Sequence, residues 1–420
     1  MSMPPEPLLQ VLARLQQAGH EAWLVGGAVR DRVLGRPAGD WDVATSAEPE
    51  EVMALFPRVV PTGLKHGTVT VVEGEPIEVT TFRVDGEYTD GRRPDSVRFT
   101  RSLEEDLARR DFTVNAMAWD PLADRFADPF GGRHDLDRLL IRAVGDPVAR
   151  FTEDGLRPLR AVRFAAVLGF SIDPATEHAM ARTLPTFRQV SVERIRVELA
   201  KTLTSPRAGW ALGVLQSTGL LAEFLPEVAG LAAADFAHVV RALAHPVDEK
   251  SGVVSEGSGI SDPLAQRLTL LLHPTVGDPD ALLRRLRFSN EERRRVVALL
   301  RLRDAHPHPD SDFEVRALVA RVTLDLLDTW LAVRATWEGP AAWQALAARI
   351  ETLGARAVPL TPGALALDGK TVMERAHLPP SRRVGRVLQW LLEQAWHDPA
   401  VNTPEALTAL LPRALAEVPE

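Results

Sequence analysis

Apolar residues follow two rhythms along this chain. From Pro7 to Ala18 they recur at helical spacing and stop at Gly19. The next run, Ala22-Trp23-Leu24-Val25, is short and continuous, the pattern of a buried strand, and it meets Gly26-Gly27 and a helical start. Asp40 to Ala44 predicts a second strand, and Pro49 to Phe56 a short helix opened by proline. The β-branched run Thr68-Val69-Thr70-Val71-Val72 predicts a further strand. Pro76 to Arg83 predicts another, whose alternation puts Glu78 and Thr80 on one face. Beyond the turn-like Asp128-Pro129-Phe130-Gly131-Gly132 the rhythm becomes almost wholly helical. Thr152 to Phe170, Val190 to Leu203, Gly209 to Leu225 and Asp235 to Ala244 all carry it. Two stretches carry no rhythm. Val84 to Phe99, with Asp85, Gly86, Asp90, Gly91, Arg92, Arg93 and Pro94, reads as a mobile loop, and Pro246 to Pro263 as a Gly/Ser-rich one.

Composition narrows the classes. A chain of 420 residues with 45% hydrophobic and 25% charged residues is ordinary for a globular protein and can bury a large core without staples. There is no cysteine, which excludes disulfides, thiolate metal sites and cysteine nucleophiles and suits a reducing cytoplasm. Met1 to Pro7 has no basic segment followed by an apolar core, so we expect no signal peptide. No apolar run is long enough to span a bilayer, so no membrane partner is expected. The net charge of −8 means that a phosphate-rich partner would meet a local basic patch, not a basic whole.

The chemistry is concentrated early. Adjacent glycines let a backbone approach a ligand, and amides at a helix start favour a phosphate. Asp40 and Asp42, at i and i+2 of a strand, would share a face. Two carboxylates side by side repel unless a cation holds them, and hard oxygen ligands select magnesium. If the Pro76–Arg83 strand lies beside them, Glu78 is a candidate third carboxylate. Asp111 and Asn115 are four apart and would share a helix face. Asp154, Arg157, Arg160 and Arg163 recur every third residue, a slowly winding polar stripe with Leu156, Leu159 and Val162 behind it. By themselves the charges of this stripe read first as a solvated face, with an ion pair between Asp154 and Arg157.

Taken together, Gly26-Gly27-Ala28-Val29-Arg30-Asp31 with Gly39-Asp40-Trp41-Asp42-Val43-Ala44-Thr45 resembles the signature of the polymerase-beta-like nucleotidyltransferase superfamily. It is most similar to the bacterial branch holding CCA-adding enzymes and poly(A) polymerases. Arg109-Arg110-Asp111 followed by Asn115-Ala116 resembles that branch's second motif, and Glu153-Asp154-Gly155-Leu156-Arg157 its nucleotide-selecting motif. Ser191-Val192-Glu193-Arg194 with Glu198-Leu199 resembles its last motif, which we read as a structural brace.

The resemblance implies an α+β protein: a small mixed-sheet catalytic head (1–140), then an all-helical neck (141–205), body (206–310) and tRNA-binding tail (311–420). It implies a tRNA nucleotidyltransferase that adds CMP and AMP to the tRNA 3′ end from CTP and ATP, with no nucleic-acid template. Asp40 and Asp42 would hold two magnesium ions. Gly26, Gly27, Arg30 and Arg110 would hold phosphates and sugar, with Asp111 and Asn115 fixing a sugar hydroxyl. Asp154 and Arg157 would read the base, supported by Arg160 and Arg163. Their hydrogen-bond code explains the choice: a carboxylate accepts and a guanidinium donates. Cytosine and adenine both offer an amine beside a bare ring nitrogen, whereas guanine and uracil offer a carbonyl beside a ring N–H.

Pro158 departs from the pattern, for it either kinks the Thr152–Phe170 helix or marks its true start. An A-adding-only enzyme, a poly(A) polymerase and an inactive RNA- or nucleotide-binding protein are the rival readings. Some relatives carry a His-Asp metal phosphohydrolase. Here His245 and His273 are each followed by proline, so no second activity is expected. Leu378 to Arg386 reads either as a grip on RNA phosphates or as a plain capped helix.

Overall fold

Leu8, Val11, Leu12 and Leu15 are all buried, so the helical stripe foreseen after Pro7 is the inner face of the first helix, α1 (Glu6–Gln17). The computed structural model describes residues 3–86, 97–245, 262–306 and 308–419 and resolves them into two compact units, Met1–Phe236 and Ala237–Glu420. The expected loop residues 87–96 and 246–261 lie outside the described residues.

The first unit is built on a seven-stranded mixed sheet. Its strands are β1 (Ala22–Val25), β2 (Asp42–Thr45), β3 (Val59–Gly63), β4 (Thr68–Glu73) and β5 (Glu75–Thr81). A separate ribbon of β6 (Arg83–Asp85) and β7 (Val97–Phe99) follows, and then β8 (Ala118–Asp120) and β9 (Arg125–Ala127) complete the sheet. The order across it is β3-β4-β5-β2-β1-β8-β9. Only the β2–β5 pair is parallel, with Val43 opposite Val79; β1 runs against β2 with Val25 opposite Asp42. Trp23, Val25, Ala44, Phe82, Leu107, Ala116, Ala118 and Val144 form a core beneath these strands.

Four expectations need correction. The second strand begins at Asp42, not Asp40, so Asp40 lies in the loop that approaches it and the shared-face argument does not hold. The Pro76–Arg83 strand stops at Thr81, and Arg83 starts the ribbon instead. Asp111 and Asn115 are not on one helix. Helix α4 (Leu103–Ala108) ends before them, and a single 3-10 turn, Thr113–Asn115, follows. Thr152 to Phe170 is not one helix either. After the short helices α2 (Gly27–Val33) and α3 (Pro49–Leu55) on the sheet, and α5 (Gly132–Asp137) against the 3-10 turn, the chain forms α6 (Pro147–Glu153), a turn, and α7 (Arg157–Leu168). Pro158 therefore sits in the first turn of α7, where its missing N–H costs no bond.

The Asp128–Asp135 segment is a brace. Asp128 accepts from the amides of Gly132 (2.6 Å) and Arg133 (2.9 Å). A Cβ on Gly132 would come within 2.3 Å of the Thr113 carbonyl oxygen, so only glycine lets α5 lie against the 3-10 turn. Helix α8 (Pro174–Arg182) then packs on α6 and α10 (Val192–Leu203) on α7, with the short α9 (Leu184–Phe187) beside α8.

The second unit is all helix and turn among its described residues. Its tail core gathers Leu367, Val372, Val387, Leu391, Leu407 and Leu411. The Leu378–Arg386 segment opens the helix Arg382–His397; Arg382 and Arg386 are exposed, whereas Arg383 donates to the Leu415 carbonyl oxygen (3.0 Å). Among the described residues no helix is long and apolar enough to cross a membrane.

Candidate functional site

The first unit carries a cavity of about 410 Å³, bounded by the β1–α2 turn, Asp42, the α4 C-terminus and the α6–α7 turn. Gly26 makes the close approach possible. Its φ of +77° lies in the left-handed region, and a Cβ there would sit 3.3 Å from Arg110 Nη1 and 3.6 Å from Asp42 Oδ2. A side chain at this position would push apart the carboxylate and the guanidinium that flank the cavity.

Asp42 is electrostatically crowded. Burial raises its pKa, Glu78 raises it further and Asp40 adds to this, while Arg110 pulls it down. Three carboxylates thus share one neighbourhood, Glu78 being brought there by the parallel β2–β5 pairing. They are hard oxygen donors of like charge, a donor set that fits magnesium. Among the described residues no three such side chains close a cage by themselves. Magnesium habitually completes its shell with waters and phosphate oxygens, so an open carboxylate set remains compatible with it.

Behind Asp42 lies a buried network of charges. Asp111 Oδ2 accepts from Arg160 Nε (2.9 Å) and Nη2 (2.6 Å), and its Oδ1 accepts from Asn115 Nδ2 (3.1 Å). Burial pushes the Asp111 pKa up, but Arg160, Asn115 and Arg157 outweigh it and hold the pKa at about 2. Arg160 also faces Glu198 (3.7 Å), which pairs with Arg163. Arg163 lies over the Phe164 ring, 3.7 Å from its centroid, and is not among the side chains lining the cavity. Arg30 is buried; it donates to Asn115 Oδ1 (2.8 Å) and to both oxygens of Asp31. It lines the cavity, but as part of this lattice. Asp106, fully buried, is desolvated by its burial, yet Arg109 and Arg110 hold its pKa below the ordinary value.

The α6–α7 turn presents Asp154. Its Oδ1 accepts from the Leu156 amide (3.0 Å) and its Oδ2 from Arg194 Nη2 (2.7 Å). Arg157 is more constrained than its spacing suggests. Its Nη1 donates to Glu153 Oε2 (2.6 Å) and the Arg150 carbonyl (2.9 Å), and its Nη2 donates to the Arg109 carbonyl (3.0 Å). Both side chains line the cavity, with Arg110, Asp111, Asn115 and Arg160. Asp40, Glu78 and Arg163 are the expected site residues that do not line it.

A match to the poly A polymerase head domain covers residues 22–142, and a match to a probable RNA and SrmB-binding site of polymerase A covers residues 169–231. The CCA-adding enzyme of Geobacillus stearothermophilus is 53% identical over 231 residues, 55% of this chain and 57% of its own length. That of Geobacillus thermodenitrificans is 53% identical over 230 residues, 54% and 56% of the two chains. This chain therefore matches a little over half the length of these curated relatives. The crystal structure of the Bacillus stearothermophilus CCA-adding enzyme in complex with CTP superposes with a TM-score of 0.80 at 37% identity, covering 98% of both chains. The chain belongs to the CCA-adding enzyme family. The CCA-adding enzyme of Thermotoga maritima, complexed with tRNA, shares the fold at 19% identity and a TM-score of 0.70.

Within that family frame, the cleft includes side chains the spacing did not single out. Arg194 and Phe164 both line it. Arg194 belongs to the motif read from the sequence as a structural brace, and tertiary structure brings it to Asp154 across 40 positions of sequence. Among the described residues, Arg110 Nε and Arg194 Nη1 are buried without a hydrogen-bond partner. Unanswered donors of this kind are costly and call for a ligand or a functional reason.

Proposed function

We propose that this protein is a tRNA nucleotidyltransferase that adds CMP and AMP to the 3′ end of tRNA from CTP and ATP, without a nucleic-acid template. The carrying observation is one cavity holding both Asp42 beside Arg110 and the Asp154 turn. Its volume lies in the range of small-ligand sites. In the reaction the tRNA 3′-hydroxyl attacks the α-phosphorus of the nucleotide, a phosphodiester bond forms and pyrophosphate leaves.

Asp40 and Asp42, with Glu78 beside them, would hold Mg²⁺, in the two-ion arrangement the superfamily resemblance implies. Bound there, the ions would lower the pKa of the attacking hydroxyl and neutralise the triphosphate. The chain's own contributions are positional. Arg110, with its unanswered Nε and its place against Gly26, is suited to a phosphate, and the Gly26-Gly27 backbone lets the triphosphate come close. Arg30, Asn115 and Asp111 set the floor under the sugar. Arg160 and Arg163 tie that floor to α10 through Glu198.

Asp154 accepts from the exocyclic amine of cytosine or adenine, and Arg157 donates to the adjacent ring nitrogen. A guanidinium has five N–H donors. The three bonds Arg157 makes leave Nε–H and one Nη2 hydrogen for the base. The Glu153 and carbonyl contacts hold the plane of the fork, so the reader is pre-set. Uracil or guanine would leave buried polar groups mismatched, at about 1–3 kcal/mol each. RNA would be recognised by shape and backbone, as suits a stem read without sequence.

The test is incorporation of single labelled nucleotides into tRNA ending before CCA, at C or at CC, with magnesium. Ordered addition of two CMP and one AMP is the expected result. AMP addition confined to the CC-ended substrate would mean an A-adding enzyme, long A tails a poly(A) polymerase, and no incorporation a binding protein.

A further inference from the structure

The turn that carries Asp154 is held from two directions. At its base, Gly155 lies so close to α9 that a Cβ would come within 2.5 Å of the Thr186 carbonyl oxygen. At its side, Arg194 reaches over from the first turn of α10 and donates from Nη2 to Asp154 Oδ2 at 2.7 Å. The Leu156 amide holds Oδ1. Both carboxylate oxygens are thereby fixed, and each keeps a lone pair for a ligand. Arg194 lines the cavity, and its Nη1 has no partner. Arg157 makes its side-chain bonds elsewhere, from Nη1 to Glu153 and the Arg150 carbonyl and from Nη2 to the Arg109 carbonyl.

We propose that Arg194 is a positioning residue for nucleobase selection, clamping Asp154 so that its carboxylate cannot turn away from the base. The proposal rests on the reading of Asp154 as the nucleobase acceptor. The physical point concerns rejection more than binding. A carboxylate free to rotate can swing clear of the carbonyl of uracil or guanine, escape the repulsion and admit the wrong nucleotide. A clamped one cannot. Discrimination by a site that leaves the wrong partner's polar groups unpaired depends on the site not relaxing. Loss of Arg194 therefore erodes the preference for CTP over UTP and for ATP over GTP more than it slows the chemistry.

The experiment is steady-state kinetics on the full chain with all four nucleotides, comparing the parent, Arg194→Met, Arg194→Gln, Asp154→Asn and the double variant Asp154→Asn/Arg194→Met. Melting curves are measured on each. Arg188→Met, which removes an exposed pair with Glu223 outside the cleft, serves as the control with unchanged selectivity. Arg194→Met is expected to lower the CTP-to-UTP ratio of kcat/KM about tenfold, chiefly through a lower KM for UTP. On the Asp154→Asn background the same change should move the ratio little, because the clamp has lost its carboxylate. Equal losses for all four nucleotides, with the ratio intact, would assign Arg194 to fold maintenance and overturn the proposal. So would additive effects in the double variant. If Arg194→Met does not fold, Arg194→Gln decides by the same ratio. A parent that does not prefer CTP over UTP would instead remove the reading of Asp154 itself, a failure visible before any variant is compared.

Discussion

The arginines of the two units differ in the partners they mainly take, although Arg157 of the first unit meets both kinds, Glu153 and two carbonyls. In the first, Arg160, Arg163 and Arg30 answer carboxylates around a cavity: Asp111, Glu198 and Asp31. In the second, buried guanidinia reach carbonyls at or near helix ends, and Arg334 also pairs with Glu338 (2.6 Å). Arg267 donates to the carbonyls of Leu243 (3.1 Å) and His245 (2.7 Å), where the helix Ala233–Ala244 stops. Arg316 donates to the Trp396 carbonyl (2.7 Å) near the end of Arg382–His397, and Arg334 to Ala305 (2.9 Å). A cation at a helix C-terminus meets the negative end of the macrodipole and orphan carbonyls together. The lesson is that an arginine-rich composition has no single meaning here. In one unit the residue pairs with carboxylates around a cavity; in the other it meets carbonyls where helices stop.

That contrast can be broken by substitution. The largest effect is expected at Asp42→Ala, which should reduce nucleotide addition by well over about 100-fold with an unchanged melting temperature; activity within about tenfold of the parent would undo the metal assignment. Next comes Asp111→Asn, which leaves the half-buried Arg160 with its main partner gone. A loss of about 3 kcal/mol in chemical denaturation is expected, along with weaker nucleotide binding. Arg267→Met should cost about 2 kcal/mol through two carbonyls left unanswered, without changing the CTP-to-UTP ratio. A changed ratio there would mean that the two kinds of arginine are not separate in function.

The smallest effect is in pH. His238 and His273 stack on the two faces of Trp337, with ring centroids 4.0 and 4.1 Å away. Burial, then Arg334, Arg303 and His238, lower the His273 pKa from 6.5 to about 4, with Asp304 opposing. The unfolded chain therefore takes up this proton first. Stability from this residue falls as pH drops from 6.5 towards 4 and does not change above 6.5. Asp111 behaves differently: its contribution is complete above its ordinary 3.8 and is lost only as pH falls through about 2. Thermal melts at pH 7 and 5 should show a smaller acid loss for His273→Phe than for the parent.

Much of this was legible in the residues. The β1 strand, the Gly26-Gly27 turn and the amphipathic α1 follow from local pattern, because neighbours in sequence decide them. Asp154, Asp42 and Arg110 were named from motifs that the cavity brings together. What pattern could not give was set by distant contacts. The Asp111–Asn115 segment has helical spacing, yet Asp111 is drawn to Arg160 and the α5 brace presses on Thr113, so a 3-10 turn forms instead of a helix. The start of α7 was ambiguous at Pro158 because proline marks either a kink or a first turn. Arg194 and Phe164 were missed because nothing within their own helices distinguishes a side chain facing a cavity from one facing a neighbouring helix.

The most direct measurement is equilibrium binding of CTP, ATP, UTP and GTP to the protein with magnesium and no RNA present. Selection by Asp154 and Arg157 predicts that CTP and ATP bind at least about tenfold more tightly than UTP and GTP. Equal affinity for all four nucleotides would contradict a protein-borne reader of base edges.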